Sequence, residues 1–386
     1  PPQGGEASWY NSALLISAGA TGAFLSDNII SFFAFHELAL IPTFVMIGLY
    51  GRGDRRTTAW RATLYLGLAS MVLLAALLMI GTQAGFTFSG LKDFMASGRE
   101  LAHAELIGAL LIAGFGTLIS LFPFHSWAAP AYASAPAPVA MMHAGVLKKF
   151  GLYGLFMFQP LMETGFLPWT NILLVLLVCN VIWVGYVTVN QKRLDLLLGN
   201  SSVMHMGYIF LAFAALVVSG SAEANPWALK GAALLMLAHG LTIALLFLLC
   251  GQIEKQTGTL EINSLGGLST RLPRMAFVFG LAGMASIGLP GLANFPGEFM
   301  VFFSGFAGFS NGFGPVQIAT ILCLWGLVIG AVYMLRAYRN IFQGDLSKAS
   351  AYATGLQPSE RAANCFLVIA LAVFGFFPTL VLQFFS

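Results

Sequence analysis

The amino-acid sequence predicts an all-α polytopic membrane protein of about eleven transmembrane helices, arranged as two inverted five-helix repeats that each contain a broken helix. Three observations carry this prediction. The chain is 58% hydrophobic and only 9% charged, with a mean hydropathy of +0.83, whereas a globular surface needs many more charges. Apolar windows of roughly 20 residues, enough to cross a bilayer, recur from end to end. Two of the apolar stretches are over-long and interrupted by proline or glycine.

The crossings fall at 11–27, 29–50, 57–83, 105–134, 137–158, 168–190, 195–219, 229–251, 273–309, 315–340 and 361–384. The second carries Glu37, inside an apolar run from Phe32 to Pro42. The fourth carries Pro123 and Pro130, with Pro136 and Pro138 close behind. Proline removes a backbone donor and kinks a helix, and in lipid the freed carbonyls need protein or water partners. A helix broken in this way lines a cavity more readily than it faces lipid. The fifth crossing places Lys148 and Lys149 after Gly145, Val146 and Leu147. The seventh carries His205 shortly after Ser201 and Ser202, and the eighth carries His239. The ninth is interrupted by Gly288, Pro290, Gly291, Pro296 and Gly297, with Glu298 just past the break. Thirty-four Phe and 43 Gly suit lipid-facing surfaces and close helix contacts.

Counting each broken helix as one crossing gives a consistent charge map. Arg52, Arg55, Arg56 and Arg61 fall on one side, with Lys192, Arg193, Lys255, Arg271 and Arg274. Arg336, Arg339, Lys348 and Arg361 join them, which makes that face cytoplasmic by the positive-inside rule. Splitting 273–309 into two crossings would move Arg336 and Arg339 outside. Arg336 and Arg339 read most simply as interface anchors. Residues 11–158 and 168–340 form five-crossing units, each with its broken helix (105–134 and 273–309) in fourth place. Five is odd, so the second unit is inverted, and 361–384 is a C-terminal helix beyond both. Inverted repeats with interrupted helices place ion sites near mid-membrane at the breaks.

Other classes are excluded or unsupported. A net charge of +3 with no basic tract argues against nucleic acid. Cys179, Cys250, Cys323 and Cys365 are scattered, and no His, Cys or carboxylate set has metal-ligand spacing, so no metal is expected. No Gly-rich phosphate loop stands out, and no cofactor site is expected. The polar start, Pro1 to Gly5, is no signal peptide and lacks a Met, as if the chain began partway through a longer one.

Ionisable groups at membrane depth are costly and point to ion or proton passage. Glu37 has no basic partner nearby in sequence, and its bland reading is a protonated carboxyl bonded to a neighbouring helix. Burial and a nearby cation act oppositely on a carboxyl's proton affinity, so a partner can switch such a group. Lys148 and Lys149 lie about 100° apart on a regular helix and are not expected to serve one path equally. Lys149 shares a face with Gly145, Val146, Leu152 and Tyr153, within reach of the tyrosine hydroxyl. Lys148 shares one with Ala144, Gly145, Gly151 and Leu152, small residues that suit close packing. Helix phase does not choose between them. Either could simply snorkel or pair structurally, yet a buried lysine is readily neutralised, which suits proton relay. His205 and His239 titrate nearest neutral pH, although a lone apolar-face histidine is commonly a bonded core residue. His125 and His143 flank the Pro-rich break and suit water or packing equally. Glu298, beside an unwound segment, has access to water and to free backbone groups.

The motifs resemble the antiporter-like proton-channel subunits of respiratory complex I, of the NuoM type. The most specific match runs from Gly288 to Phe299 (GLPGLANFPGEF), close to the family's G-x-P-G-x-x-N-F-x-G-E-F. Glu37 to Pro42, Ala144 to Lys149, Ser201 to Gly207, Ala238 to Leu241 and Leu245 to Phe247 match as well, in order along the chain. The resemblance implies fourteen helices built on two inverted repeats, with the first three lying ahead of this sequence. It implies proton-transfer roles for Glu37, Lys149 (rather than Lys148), His239 and Glu298, with His125, His205 and Lys148 as secondary candidates. It also implies proton translocation coupled to electron transfer in other subunits of an NADH–quinone oxidoreductase, with no cofactor in this chain. The implied partners are other membrane-arm subunits and the lipid bilayer. The implied location is a bacterial inner membrane or an organelle's energy-converting membrane. A membrane-bound hydrogenase, a multisubunit cation/proton antiporter and a non-pumping structural paralogue are the rival settings.

Three departures stand out. The family's lysine seven residues before the histidine matching His125 is Leu118 here. Tyr132 and Ser134 replace the usual His and Glu, and Asp195 stands where the family has a lysine. The family's glutamate–lysine switch therefore cannot operate in its usual form unless another group, such as Lys148, compensates.

Overall fold

The computed structural model describes residues 5–307 and 312–385. In chain order its α-helices are α1 (Glu6–Leu25), α2 (Ile29–Tyr50), α3 (Arg55–Ala84), α4 (Phe88–Ala96), α5 (Ala104–Ile119), α6 (Ala128–Ser134), α7 (Ala137–Met142) and α8 (Lys149–Met157). They continue as α9 (Thr170–Val189), α10 (Leu194–Ser219), α11 (Pro226–Thr257), α12 (Pro273–Ser286), α13 (Asn294–Ser304), α14 (Pro315–Phe342), α15 (Pro358–Phe376) and α16 (Thr379–Leu382). Helix starts are set locally. Asn28 accepts from the N–H groups of Ile30 and Ser31 ahead of α2, and Asp54 from that of Thr57 ahead of α3. Pro226, Pro273, Pro315 and Pro358 each open a helix where no backbone donor is needed.

Among the described residues, seven segments are long and apolar enough to cross a membrane: 29–50, 55–84, 159–189, 194–219, 226–257, 315–342 and 358–376. They match the second, third, sixth, seventh, eighth, tenth and eleventh expected crossings. The fourth, fifth and ninth are split into shorter helices, and α1 is diluted by Glu6, Ser8, Asn11, Ser12 and Ser17. α10 is the central pillar, with 94% of its apolar window buried.

Contacts between loops show which ends meet. Arg52, after α2, pairs with Glu254 near the end of α11 and donates to the Ala135 carbonyl at 2.9 Å. Arg336 on α14 reaches the Gln191 carbonyl at 2.8 Å, Arg193 lies 4.0 Å from Glu261, and Lys255 lies 2.7 Å from Glu360. These cation-rich ends therefore cluster, as the charge map requires. At the opposite end, the Trp169 indole donates to the Glu105 carbonyl and Asn225 donates to that of Ser304, both at 2.9 Å. The stretch α5–α6 thus runs from the second end to the cation-rich end, and α12–α13 runs back the other way.

Two expected spans are corrected. The fifth is not one helix: α7 passes through a π-turn at His143–Leu147 before α8. The eleventh stops at Phe376 rather than 384, because Pro378 disfavours helical backbone in the residue before it. The fourth carries its break between Ile119 and Ala128. Residues 308 and 309, the expected end of the ninth, lie outside the described residues.

Candidate functional site

Polar side chains from the second five-crossing unit (168–340) meet both breaks. At the first, Ser120 adopts φ 67° and ends α5. Asn180, fully buried on α9, then closes the gap. Its Oδ1 accepts from the Phe122 N–H at 2.5 Å, and its Nδ2 donates to the carbonyls of Ser120 (3.3 Å) and Val203 (3.1 Å). Backbone groups freed at membrane depth need such partners. At the second break, Gly288 (φ 77°) and Gly291 (φ 93°) turn the chain. Any side chain at Gly288 would run into the Glu298 carboxyl, so that carboxyl lies directly over the break.

Lys149 is buried, its Nζ donating to the Ala144 carbonyl and facing the Nδ1 of His239 at 2.9 Å. Two glycines allow this pair to form. The π-turn and α11 cross so closely that a Cβ at Gly240 would stand 2.7 Å from the Gly145 carbonyl oxygen; small residues permit such approaches within membranes. The His239 and His205 rings follow with centroids 5.5 Å apart. His205 lies between two carbonyls, its Nδ1 2.8 Å from Ser201 O and its Nε2 2.9 Å from Ser286 O. A neutral imidazole has one N–H, so it can donate to only one of these carbonyls at a time. Ser286 ends α12 at the second break, beyond which Glu298 is buried, its Oε1 lacking a hydrogen-bond partner among the described residues. Glu298 lines a cavity of about 380 Å³ with Gly288, Phe295 and Phe302. Lys149 lines another of about 340 Å³ with Phe24, Tyr153 and Met236. Lys149, His239, His205 and the Glu298 region thus form one buried polar line.

The other expected residues are placed differently. Glu37 accepts from Ser70 Oγ at 2.5 Å, and His36 Nδ1 lies 3.3 Å from its carboxylate. Its sequence neighbour is therefore a basic partner, correcting the reading of an isolated glutamate. Leu118, buried on α5, contributes no charge there. Lys148 makes no ion pair with Glu37 among the described residues; its Nζ sits 5.5 Å from the centre of the Tyr132 ring. His125 is half-buried and stacks on Phe122 at 5.4 Å, away from the line. The Tyr153 hydroxyl donates to the Phe24 carbonyl at 3.3 Å instead of serving Lys149. Among the described residues no three His, Cys, Asp or Glu side chains converge as metal ligands.

At the cation-rich end, fully buried Asp195 accepts from Arg193 at 2.7 and 3.2 Å and from the Leu196 N–H at 2.8 Å. The hydrogen bond to Asp195 holds the Arg193 guanidinium above its ordinary pKa, against partial burial. Sequence reading passed over Asn180, His36 and Ser70. The one signal for Asn180 was an amide in the middle of an apolar helix.

Residues 26–327 match the family described as NADH:quinone oxidoreductase/Mrp antiporter, transmembrane. The chain belongs to this family. It is 35% identical over 380 residues to NAD(P)H-quinone oxidoreductase chain 4 1 of Synechococcus elongatus, covering 96% of this chain and 68% of the relative. It is 33% identical over 369 residues to chain 4 2 of Microcystis aeruginosa, covering 93% and 64%. The chain thus spans about two thirds of the length of these curated relatives. A chain of respiratory complex I from Thermus thermophilus with bound NADH superposes with a TM-score of 0.87 at 27% identity, over 98% of this chain and 77% of that one. The Mrp complex from Dietzia sp. shares the fold, with a TM-score of 0.82 at 20% identity over 97% and 76%. This family member is an integral membrane protein of the antiporter-like, complex I type.

Proposed function

We propose that this chain carries protons across the membrane as a membrane-arm subunit of a complex I-type NAD(P)H–quinone oxidoreductase, driven by electron transfer in other subunits. The observation that supports this most directly is the Lys149–His239 pair at 2.9 Å, continued by His205 to the broken helix below Glu298. Lys149 holds the central proton as an ammonium and delivers it to His239 Nδ1. His205 takes the next step, and Glu298 exchanges with water at the break. Glu37, with Ser70 and His36, is the corresponding carboxyl of the first repeat (11–158), and Lys149 to Glu298 join it to the second (168–340). The chain contributes no redox cofactor of its own; electron donor and quinone bind partner subunits.

Lys149→Met in the assembled complex should lower proton transfer about 10²-fold or more, the scale of a lost proton donor. Unchanged transfer in an assembled variant overturns the proposal. A second reading, a non-pumping paralogue that keeps only the fold, is favoured by Leu118, and that same unchanged result would support it.

A further inference from the structure

Lys148 is a second buried amine that the Lys149 line does not use. It is 2% exposed, and among the described residues its Nζ has no hydrogen-bond partner. Its contact is the face of Tyr132, on α6 of the first broken helix. That tyrosine is itself fully buried, with a hydroxyl that also lacks a partner. The Tyr132 ring meets the His143 ring edge-on at 5.3 Å, and His143 is 2% exposed with its Nδ1 unpartnered. Trp127 closes the group at 6.1 Å from Tyr132 and 5.6 Å from His143. The Trp127 indole donates to the carbonyl of Thr117, next to Leu118. Among the described residues, an amine, a phenol and an imidazole thus stand unpartnered around the Tyr132 ring, whose neighbour Trp127 bonds the residue before Leu118.

Buried polar atoms are normally bonded, and one aromatic face does not replace the hydration of an amine. Water both donates and accepts, and a buried water uses two to four polar partners of this kind. We propose that Lys148, Tyr132 and His143 bind water and form the protonatable station of the first repeat, carried on the π-turn side rather than on the broken helix. An ammonium N–H bond breaks as a proton enters the water, and an N–H bond forms at His143 Nδ1 as another leaves it, so charge is conserved. The charged and titratable groups around the station are Lys149 beside it, His36 on α2, His125 at the first break, His205 on α10 and His239 on α11. His36 in turn lies against Glu37, which connects the station to the first-repeat carboxyl.

This inference rests on the proton-carrying reading above, and paired variants separate the two. Proton transfer per quinone reduced is measured in membrane vesicles containing the assembled complex, for Lys148→Met, Lys148→Arg and Lys149→Met. Arginine keeps charge and length but does not release its proton. The station requires both Lys148 variants to lose fivefold or more. Parent-level transfer in Lys148→Arg overturns it, because charge alone would then suffice. Should Lys148→Met fail to assemble, the arginine variant decides by itself. A Lys149→Met loss beside parent-level Lys148→Arg removes the station and leaves the proposed function standing. Parent-level transfer in Lys149→Met removes both.

Discussion

Replacing Gly240 by alanine tests whether the central proton step depends on the close crossing of the π-turn and α11. A methyl group there would stand 2.7 Å from the Gly145 carbonyl oxygen, whereas ordinary contact begins at 3.4 Å. The two segments must therefore part by about 0.7 Å. Carried to the adjacent side chains, that takes the Lys149–His239 distance from 2.9 Å to about 3.6 Å, beyond hydrogen-bonding range. Gly145→Ala is the milder change: its Cβ would lie 3.1 Å from the Gly240 carbonyl, which asks for about 0.3 Å and leaves the pair near the limit. Overpacking costs about 1–3 kcal/mol and is offset by about 1 kcal/mol of helix propensity, so both variants should assemble. Gly67→Ala is the control, because a Cβ there meets nothing within 4 Å. The assay is vesicle acidification per quinone reduced. Gly67→Ala should match the parent and Gly145→Ala should fall modestly. Gly240→Ala should fall at least tenfold, since a misplacement near 1 Å costs about 10²-fold. An assembled Gly240→Ala complex that pumps like the parent refutes the reasoning.

Three further outcomes are expected. Asn180→Leu bares the Phe122 N–H and two carbonyls at the first break, and at about 1–3 kcal/mol per buried group it should markedly lower the thermal midpoint of the assembled complex; an unchanged midpoint would show that other groups hold the break. His205→Leu should lose stability and proton transfer together, while His205→Gln, which keeps an amide donor, should recover stability only; full transfer in the glutamine variant would remove His205 from the path. Arg193→Ala should cost about 1–2 kcal/mol, because Asp195 keeps the Leu196 N–H and the first turn of α10 while Arg193 was 42% exposed. Since the pair raises the arginine's pKa, its contribution is complete below the ordinary guanidinium value and is lost only as pH rises through the raised one. The stability difference between parent and Arg193→Ala should therefore stay flat from about pH 6 to 9, and a change within that window would count against the pair.

Much of the fold was legible because hydropathy and charge accumulate along the chain. Recurrent apolar windows, the prolines from Pro123 to Pro138, the glycines from Gly288 to Gly297 and the arginines near one face were each readable one segment at a time. The fifth crossing was not, because nothing in the run from His143 to Lys149 distinguishes a π-turn from a regular helix. The extra residue changes the phase on which the reading of Lys148 and Lys149 depended. The apparent isolation of Glu37 failed for a different reason: one of its partners, Ser70, lies on another helix, and the other, His36, was its neighbour all along.

By itself, the sequence determined that this is a helical membrane protein with two interrupted crossings and a small set of ionisable groups at membrane depth. Those properties follow from composition and from local backbone chemistry. Only the tertiary structure decided which groups meet. Lys149 reaches His239 across 90 residues of chain, His205 reaches the second break across 81, and Lys148 turns to Tyr132 instead of Glu37. A proton step depends on distances of about 3 Å. Such distances are set by how closely helices cross, here through Gly145 and Gly240, and no local pattern encodes that approach.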